Sequence, residues 1–179
     1  MTFARLPVQP DHPCIACGHA NPHGLRMEFE TDGQVLRSRT QVPGHLCGWR
    51  GVAHGGVVSI LLDEVMANAA IALLERLAVT RELQVTFVRP VRTGAPLEAR
   101  ARILSRPRPD RAELDAELRD AEGRLCAKAR GSFALLGPAD FRRLGFEQEV
   151  IADTERHLVA CRAARLRAGQ ELAPEPDPE

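Results

Sequence analysis

The run Val52–Met66, VAHGGVVSILLDEVM, sets a histidine, a glycine pair and two adjacent carboxylates close together. His54-Gly55-Gly56 leads into an apolar stretch that reads as a helix from Gly55 to about Leu77. The first N–H groups of a helix lack intrahelical acceptors and carry partial positive charge. Glycine there lets another molecule reach the backbone. Such an end suits a carbonyl oxygen or a developing oxyanion. Asp63 stands nine residues after His54, about two and a half turns on. That is too far to touch an oxygen held at its own helix end. The spacing therefore points to a carboxylate of one subunit facing a carbonyl held by another, a site shared across a dimer.

The two acids differ in company. At about 100° per residue, Asp63 shares its stripe with Gly56, Ala67, Ala70 and Leu74, with Ser59 to one side. Glu64 shares its stripe with Asn68, Ile71 and Glu75. On this count Glu64 belongs to a solvated or rim face. Asp63 either takes a partner from another element or serves chemistry.

The positioning elements follow from periodicity. RMEFET and QVLRSRTQV read as two strands joined at Asp32-Gly33, a hairpin signal. Beyond the helix the period changes to two. TRELQVTFVR sets Leu83, Val85 and Phe87 against Gln84 and Thr86, and LEARARIL, AELDAELRD and RLCAKARGSFALL alternate likewise. Strict alternation predicts antiparallel strands with one wet face. A helix apolar almost all round must be enclosed, and a curved sheet wrapped round it does so with few elements. The expected organisation is a turn-rich lead-in over 1–25, one domain over 26–137, a helical extension over 138–168 and a solvated tail over 169–179. Val150, Ile151, Leu158 and Cys161 are candidate packing positions in the extension.

Composition narrows the function classes. The 179 residues carry no net charge and are 44% hydrophobic, an ordinary globular balance without the basic footprint of nucleic-acid binding. No uncharged run is long enough for a membrane span, and MTFARLPVQPDHP lacks the apolar core of a signal peptide. Five scattered cysteines fit reduced thiols in a cytoplasm better than a disulfide framework. Cys14-x-x-Cys17 raises zinc or redox chemistry. There is no second CxxC, and His12, His19, His23 and Cys47 match no common zinc spacing. The reading is a packed turn, with no metal and no cofactor.

GVAHGGVVSILLDEVM, AVTRELQVTFVRPVRTG and RLCAKARGSFALL together resemble the hotdog-fold acyl-CoA thioesterases of the phenylacetate-degradation type, relatives of the 4-hydroxybenzoyl-CoA thioesterases. The lead-in CIACGHANPHGLRMEF is similar to the opening of many members, and the resemblance spans roughly Cys14 to Leu136. It implies an α+β hotdog fold, a curved antiparallel sheet round a long central helix, with the C-terminal helical segment as an addition. It also implies a homodimer or dimer of dimers with active sites at subunit interfaces. The implied reaction is hydrolysis of a small or medium acyl-CoA to CoA and an acid. By that resemblance Gly55 N–H polarises the carbonyl with His54 beside it, Asp63 is base or nucleophile, and Thr80 holds the water.

Gly56, Trp49, Arg50, Arg89 and Arg92 are the candidate substrate contacts, Trp49 for the acyl pocket and the arginines for CoA phosphates. Ordinary packing is the other reading of Trp49, and a solvated strand end that of each arginine. The chain departs from some relatives at Gly48, where they carry an amide side chain. That departure keeps a non-catalytic acyl-CoA-binding module in view beside a hotdog hydratase or dehydratase.

Overall fold

The computed structural model describes residues 3–170. The alternating segments form β6 (Leu77–Phe87), β7 (Leu97–Arg108), β8 (Arg111–Asp120) and β9 (Leu125–Leu136), preceded by β1 (Ala4–Arg5), β2 (Glu30–Thr31) and β3 (Val35–Thr40). These seven strands make one sheet in the order β1-β2-β3-β7-β8-β9-β6, with every pair antiparallel. A separate hairpin pairs β4 (Cys47–Trp49) with β5 (Val52–Ala53). Among the described residues β6 ends the sheet, with β9 on one side and no strand on the other.

The inner face is lined by Leu97, Ala99 and Ala101 of β7, Ala112, Leu114, Ala116 and Leu118 of β8, and Ala127 and Phe133 of β9, all buried. So many alanines let the sheet curve close over α1 (Gly55–Leu74), whose Leu61, Leu62, Val65, Met66, Ala69, Ala70 and Ala72 are wholly buried. The outer face carries cross-strand and local ion pairs such as Arg102–Asp115 and Arg119–Glu117. Exposed pairs of this kind are worth at most about 1 kcal/mol each. α1 is long and apolar enough to cross a membrane by length and composition, but here it is the core helix.

The sheet does not enclose the helix alone. α2 (Pro138–Arg143) and α3 (Gln148–Gln170) follow β9, and α3 packs on α1. Of the four packing positions expected in the extension, Ile151 and Cys161 are buried and Leu158 is partly so, whereas Val150 is 42% exposed. Glu75 ends α1 in the left-handed region at φ 56° and takes Arg162 and Arg165 of α3. Residues 171–179, most of the expected tail, lie outside the described residues, while 169–170 belong to α3.

The lead-in packs rather than merely precedes. Asp32 Oδ1 accepts the N–H groups of Gln34 and Val35, closing the expected hairpin turn with Gly33 at φ 91°. Its first strand is shorter than RMEFET, because the N–H groups of Leu25 and Met27 donate instead to Ile15 and Ala16 carbonyls. In the Cys14–Gly18 turn, a Cβ on Gly18 would sit 2.3 Å from Cys14 N and from the His12 carbonyl oxygen. Gly18→Ala should therefore cost about 1–3 kcal/mol. Gly44 has open space at the same test and no left-handed φ, so Gly44→Ala should stay within about 0.5 kcal/mol. Denaturant unfolding of both variants checks the contrast.

Candidate active site

The apolar run of α1 starts at a real helix end. His54 is the N-cap in extended backbone, and its Nδ1 accepts the Gly56 N–H at 3.0 Å. Val57 and Val58 N–H both donate to the His54 carbonyl. The Gly55 N–H, in contrast, has no acceptor among the described residues. It is the donor left for an outside oxygen, and Gly56 is spent on the cap. The ring of Phe87 lies beside Gly55, 3.6 Å from where a Cβ would stand, and Phe87 is 56% exposed. Alternation counting placed Phe87 on the core face with Leu83 and Val85. It does point that way, but near the end of the helix, so it borders the helix terminus instead of filling the core.

Asp63 takes its partner from β6. Thr80 Oγ1 donates to Asp63 Oδ1 at 2.7 Å. A break in the β6–β9 register between Thr80 and Glu82 makes this possible. Leu83 and Val85 face the core, so an unbroken strand would also turn Arg81 and Val79 inward. The extra residue switches the inward set to Ala78 and Thr80, and leaves Val79 52% exposed. Bulges re-aim side chains in this way next to functional sites.

Glu64 corrects the stripe count. It is not a solvated acid, because the lead-in covers it. Asn68, itself 7% exposed, donates to Glu64 Oε1 at 2.9 Å, and Cys14 Sγ lies 3.9 Å from Oε2. Burial pushes the Glu64 carboxyl up to about 7. The Cys17 thiol, hydrogen-bonded to the Cys14 sulfur, draws the Cys14 pKa down to about 5, and the same hydrogen bond drives that of Cys17 up. A polar stripe was legible in the sequence, but the segments that roof it were not.

The remaining candidates spread outward. Trp49 is 82% exposed, so neither a pocket wall within the chain nor ordinary packing describes it. Arg50 is exposed beside it. Arg92 comes to this hairpin through the Val52–Arg92 bridge, and Thr93 N–H donates to the Gly51 carbonyl. Arg89 is held away, donating to the Leu125 carbonyl at 2.7 Å. Gly48 abuts His54, where a Cβ would stand 3.2 Å from both Cα and Cδ2. An amide side chain there would press on the helix cap.

The structure thus makes two half-sites: Asp63 with Thr80, and Gly55 with His54 and Phe87. Eight residues of continuous helix separate Gly55 from Asp63, about 12 Å of rise. A cleft of about 1040 Å³ between Pro22–Glu28, Arg39–His45 and Leu97–Arg100 contains neither half.

A long helix enclosed by a curved antiparallel sheet, with a glycine-led helix end and a mid-helix acid, defines a hotdog domain. Its residues 50–127 match the model of the thioesterase superfamily. A proposed esterase of Saccharolobus solfataricus is 33% identical over 87 residues, 48% of this chain and 61% of that protein. A crystal structure described as a thioesterase superfamily protein is 26% identical with a TM-score of 0.61, covering 71% of this chain and 61% of that one. The PaaI protein of the Escherichia coli phenylacetic acid degradation operon shares the fold, at 22% identity and a TM-score of 0.57 over 63% of this chain and 81% of its own. The chain thus spans about three-fifths of the length of the first two relatives.

Proposed function

We propose that the protein is an acyl-CoA thioesterase whose active sites form between two copies of the chain. The observation that carries this reading is the Asp63–Thr80 pair beside an open sheet edge. Thr80 and Phe87 lie either side of the centre of β6, and Phe87 marks the Gly55 helix end. A second copy pairing antiparallel through β6, with the two-fold axis near Leu83 and Gln84, brings Thr80 of one chain toward Phe87 of the other. Asp63 of one protomer then approaches Gly55 N–H of its partner, and the 12 Å gap (about eight residues of rise) no longer separates them. Val79, 52% exposed on that edge, is covered by the same pairing.

In this site the thioester carbonyl oxygen accepts from Gly55 N–H, which stabilises the oxyanion as the carbonyl carbon becomes tetrahedral. Asp63 takes a proton from the attacking water, the C–S bond breaks, and that proton passes to the departing CoA thiolate. In the nucleophilic variant an Asp63 oxygen attacks first, the C–S bond breaks and CoA leaves as the thiolate; water then hydrolyses the anhydride, and the proton this releases goes to the thiolate. Either way Thr80 fixes the carboxylate and the water beside it. The choice of CoA draws support from a hypothetical thioesterase of Streptococcus pneumoniae, alike in fold at 20% identity and solved with coenzyme A. Exposed Arg50 and Arg92, brought to one hairpin, are suited to its phosphates.

Thiol release from a panel of aliphatic and aromatic acyl-CoAs tests the reading. Release from at least one is expected, and tight binding without release from any would favour a non-catalytic acyl-CoA-binding module. Gly48, with no amide at that position, is the observation on that side. Thr80→Val should lower kcat/KM by about 10- to 100-fold, the worth of a hydrogen bond to a charged group. Thr80→Ser, which keeps the hydroxyl, should retain most of the activity. Equal rates for the two variants would remove Thr80 from the site.

A further inference from the structure

The thioesterase reading leaves the Cys14–Cys17 turn without a task, yet the fold builds a donor set around it. His12, Cys14 and Cys17 each present a ligand atom, all within 4.8 Å of one another. The third side is the central helix, where Glu64 Oε2 lies 3.9 Å from Cys14 Sγ. The turn itself has a shape that holds thiolates. Ala16 N–H points at Cys14 Sγ at 3.3 Å, Gly18 N–H closes the loop on the Cys14 carbonyl, and only glycine fits at position 18.

Charge gives a second, independent argument. On the same helix stripe, Glu75 meets Arg162 and Arg165. Glu64 meets Asn68 and the Cys14 and Cys17 thiols, with no arginine or lysine in an ion pair with it among the described residues. A carboxylate out of water next to two thiols lacks a positive charge, and buried charges are ordinarily paired or bound to metal. We propose that His12, Cys14, Cys17 and Glu64 bind one zinc ion that fastens the N-terminal lead-in to the central helix.

The chemistry fits zinc among divalent ions. Two sulfurs, one imidazole nitrogen and one carboxylate oxygen make a closed four-ligand set, as structural zinc sites use. Zn–S near 2.3 Å and Zn–N near 2.0 Å imply ligand separations of about 3.5–3.8 Å in a tetrahedron. The spread of His12, Cys14 and Cys17 is thus drawn in by about 1 Å on binding, within reach of an exposed His12 side chain, and Glu64 Oε2 joins them from its place 3.9 Å from Cys14 Sγ. Soft thiolates select against magnesium and calcium. Asn68 supplies the outer support that metal sites use, donating to Glu64 Oε1 and to the Glu64 carbonyl. The site differs from the reaction centre: Asp63 faces β6 and Glu64 faces the lead-in.

The test uses the full chain purified under reducing conditions. Elemental analysis should give about one zinc per chain. Chelator-stripped protein given cobalt should show thiolate-to-cobalt charge-transfer absorption, present in Cys47→Ser and absent in Cys14→Ser. Asn68→Ala should keep the stoichiometry and weaken zinc by about 10- to 100-fold in chelator competition. If Cys14→Ser does not fold, the wild-type cobalt spectrum and a weaker cobalt affinity in folded Glu64→Gln decide. Less than about 0.1 zinc per chain together with no thiolate–cobalt band would overturn the proposal. So would a Cys14–Cys17 disulfide in protein that binds neither metal. None of these readouts depends on hydrolytic activity, so failure of the thioesterase reading leaves this test intact.

Discussion

Asp63→Asn is expected to lower kcat for acyl-CoA hydrolysis by about 100- to 10,000-fold, the range of a general base held in place. KM should change little, because the amide occupies the same volume and the carbonyl is held by another residue. The fold gives a clean comparison. Thr80 donates to Asp63 Oδ1 in the parent at 2.7 Å, and the amide oxygen of the Asp63→Asn variant can accept the same hydrogen bond. Thermal stability should therefore shift little, and a fall in kcat can be assigned to chemistry rather than to unfolding. Full activity of the amide variant would remove Asp63 from the reaction and leave its hydrogen bond a structural one.

The second large effect concerns where the halves of the site meet. Gly55 is the first helical residue, and His54 before it is extended at ψ 139°. Proline is favoured at a first helical position and tolerates an extended predecessor. Gly55→Pro thus removes the free N–H while sparing the helix. It should lower kcat by about 100- to 1,000-fold, the cost of one oxyanion donor. The decisive experiment mixes Gly55→Pro with Asp63→Asn after dissociation and reassociation. Random pairing makes about half of the dimers mixed, and each mixed dimer has one intact site of two. Activity should recover to about a quarter of wild type. Activity that stays at the level of the parents would place both groups in a site within one chain, against the β6-paired assembly.

The residues of both half-sites stand in one 34-residue window, His54 to Phe87. A helix end and a misplaced acid leave marks in any one chain, which made His54, Gly55 and Asp63 legible; Thr80 was named only through the family resemblance. Phe87 was harder to find, since its alternation agrees equally with core and with a helix terminus. The turn at Arg81 that aims Thr80 was not legible. A bulge is set by pairing with β9, not by the residues of β6 alone.

Periodicity by itself determined the strand and helix pattern, the wet and dry faces of the sheet, and the need to enclose an apolar helix. These are local consequences of side-chain alternation and the helical repeat. The sequence also determined that Asp63 needs a partner and that His54-Gly55-Gly56 opens a helix. Only the tertiary structure decided what covers Glu64, Asn68 and Glu75. A polar stripe reads as solvent-facing until a remote segment is laid over it, and the covering here comes from Cys14 and Cys17 on one side and Arg162 and Arg165 on the other. It also decided that His12 and Glu64, 52 positions apart, flank one pair of thiols. Contacts at that separation depend on how the chain closes its loops, and no local pattern encodes them.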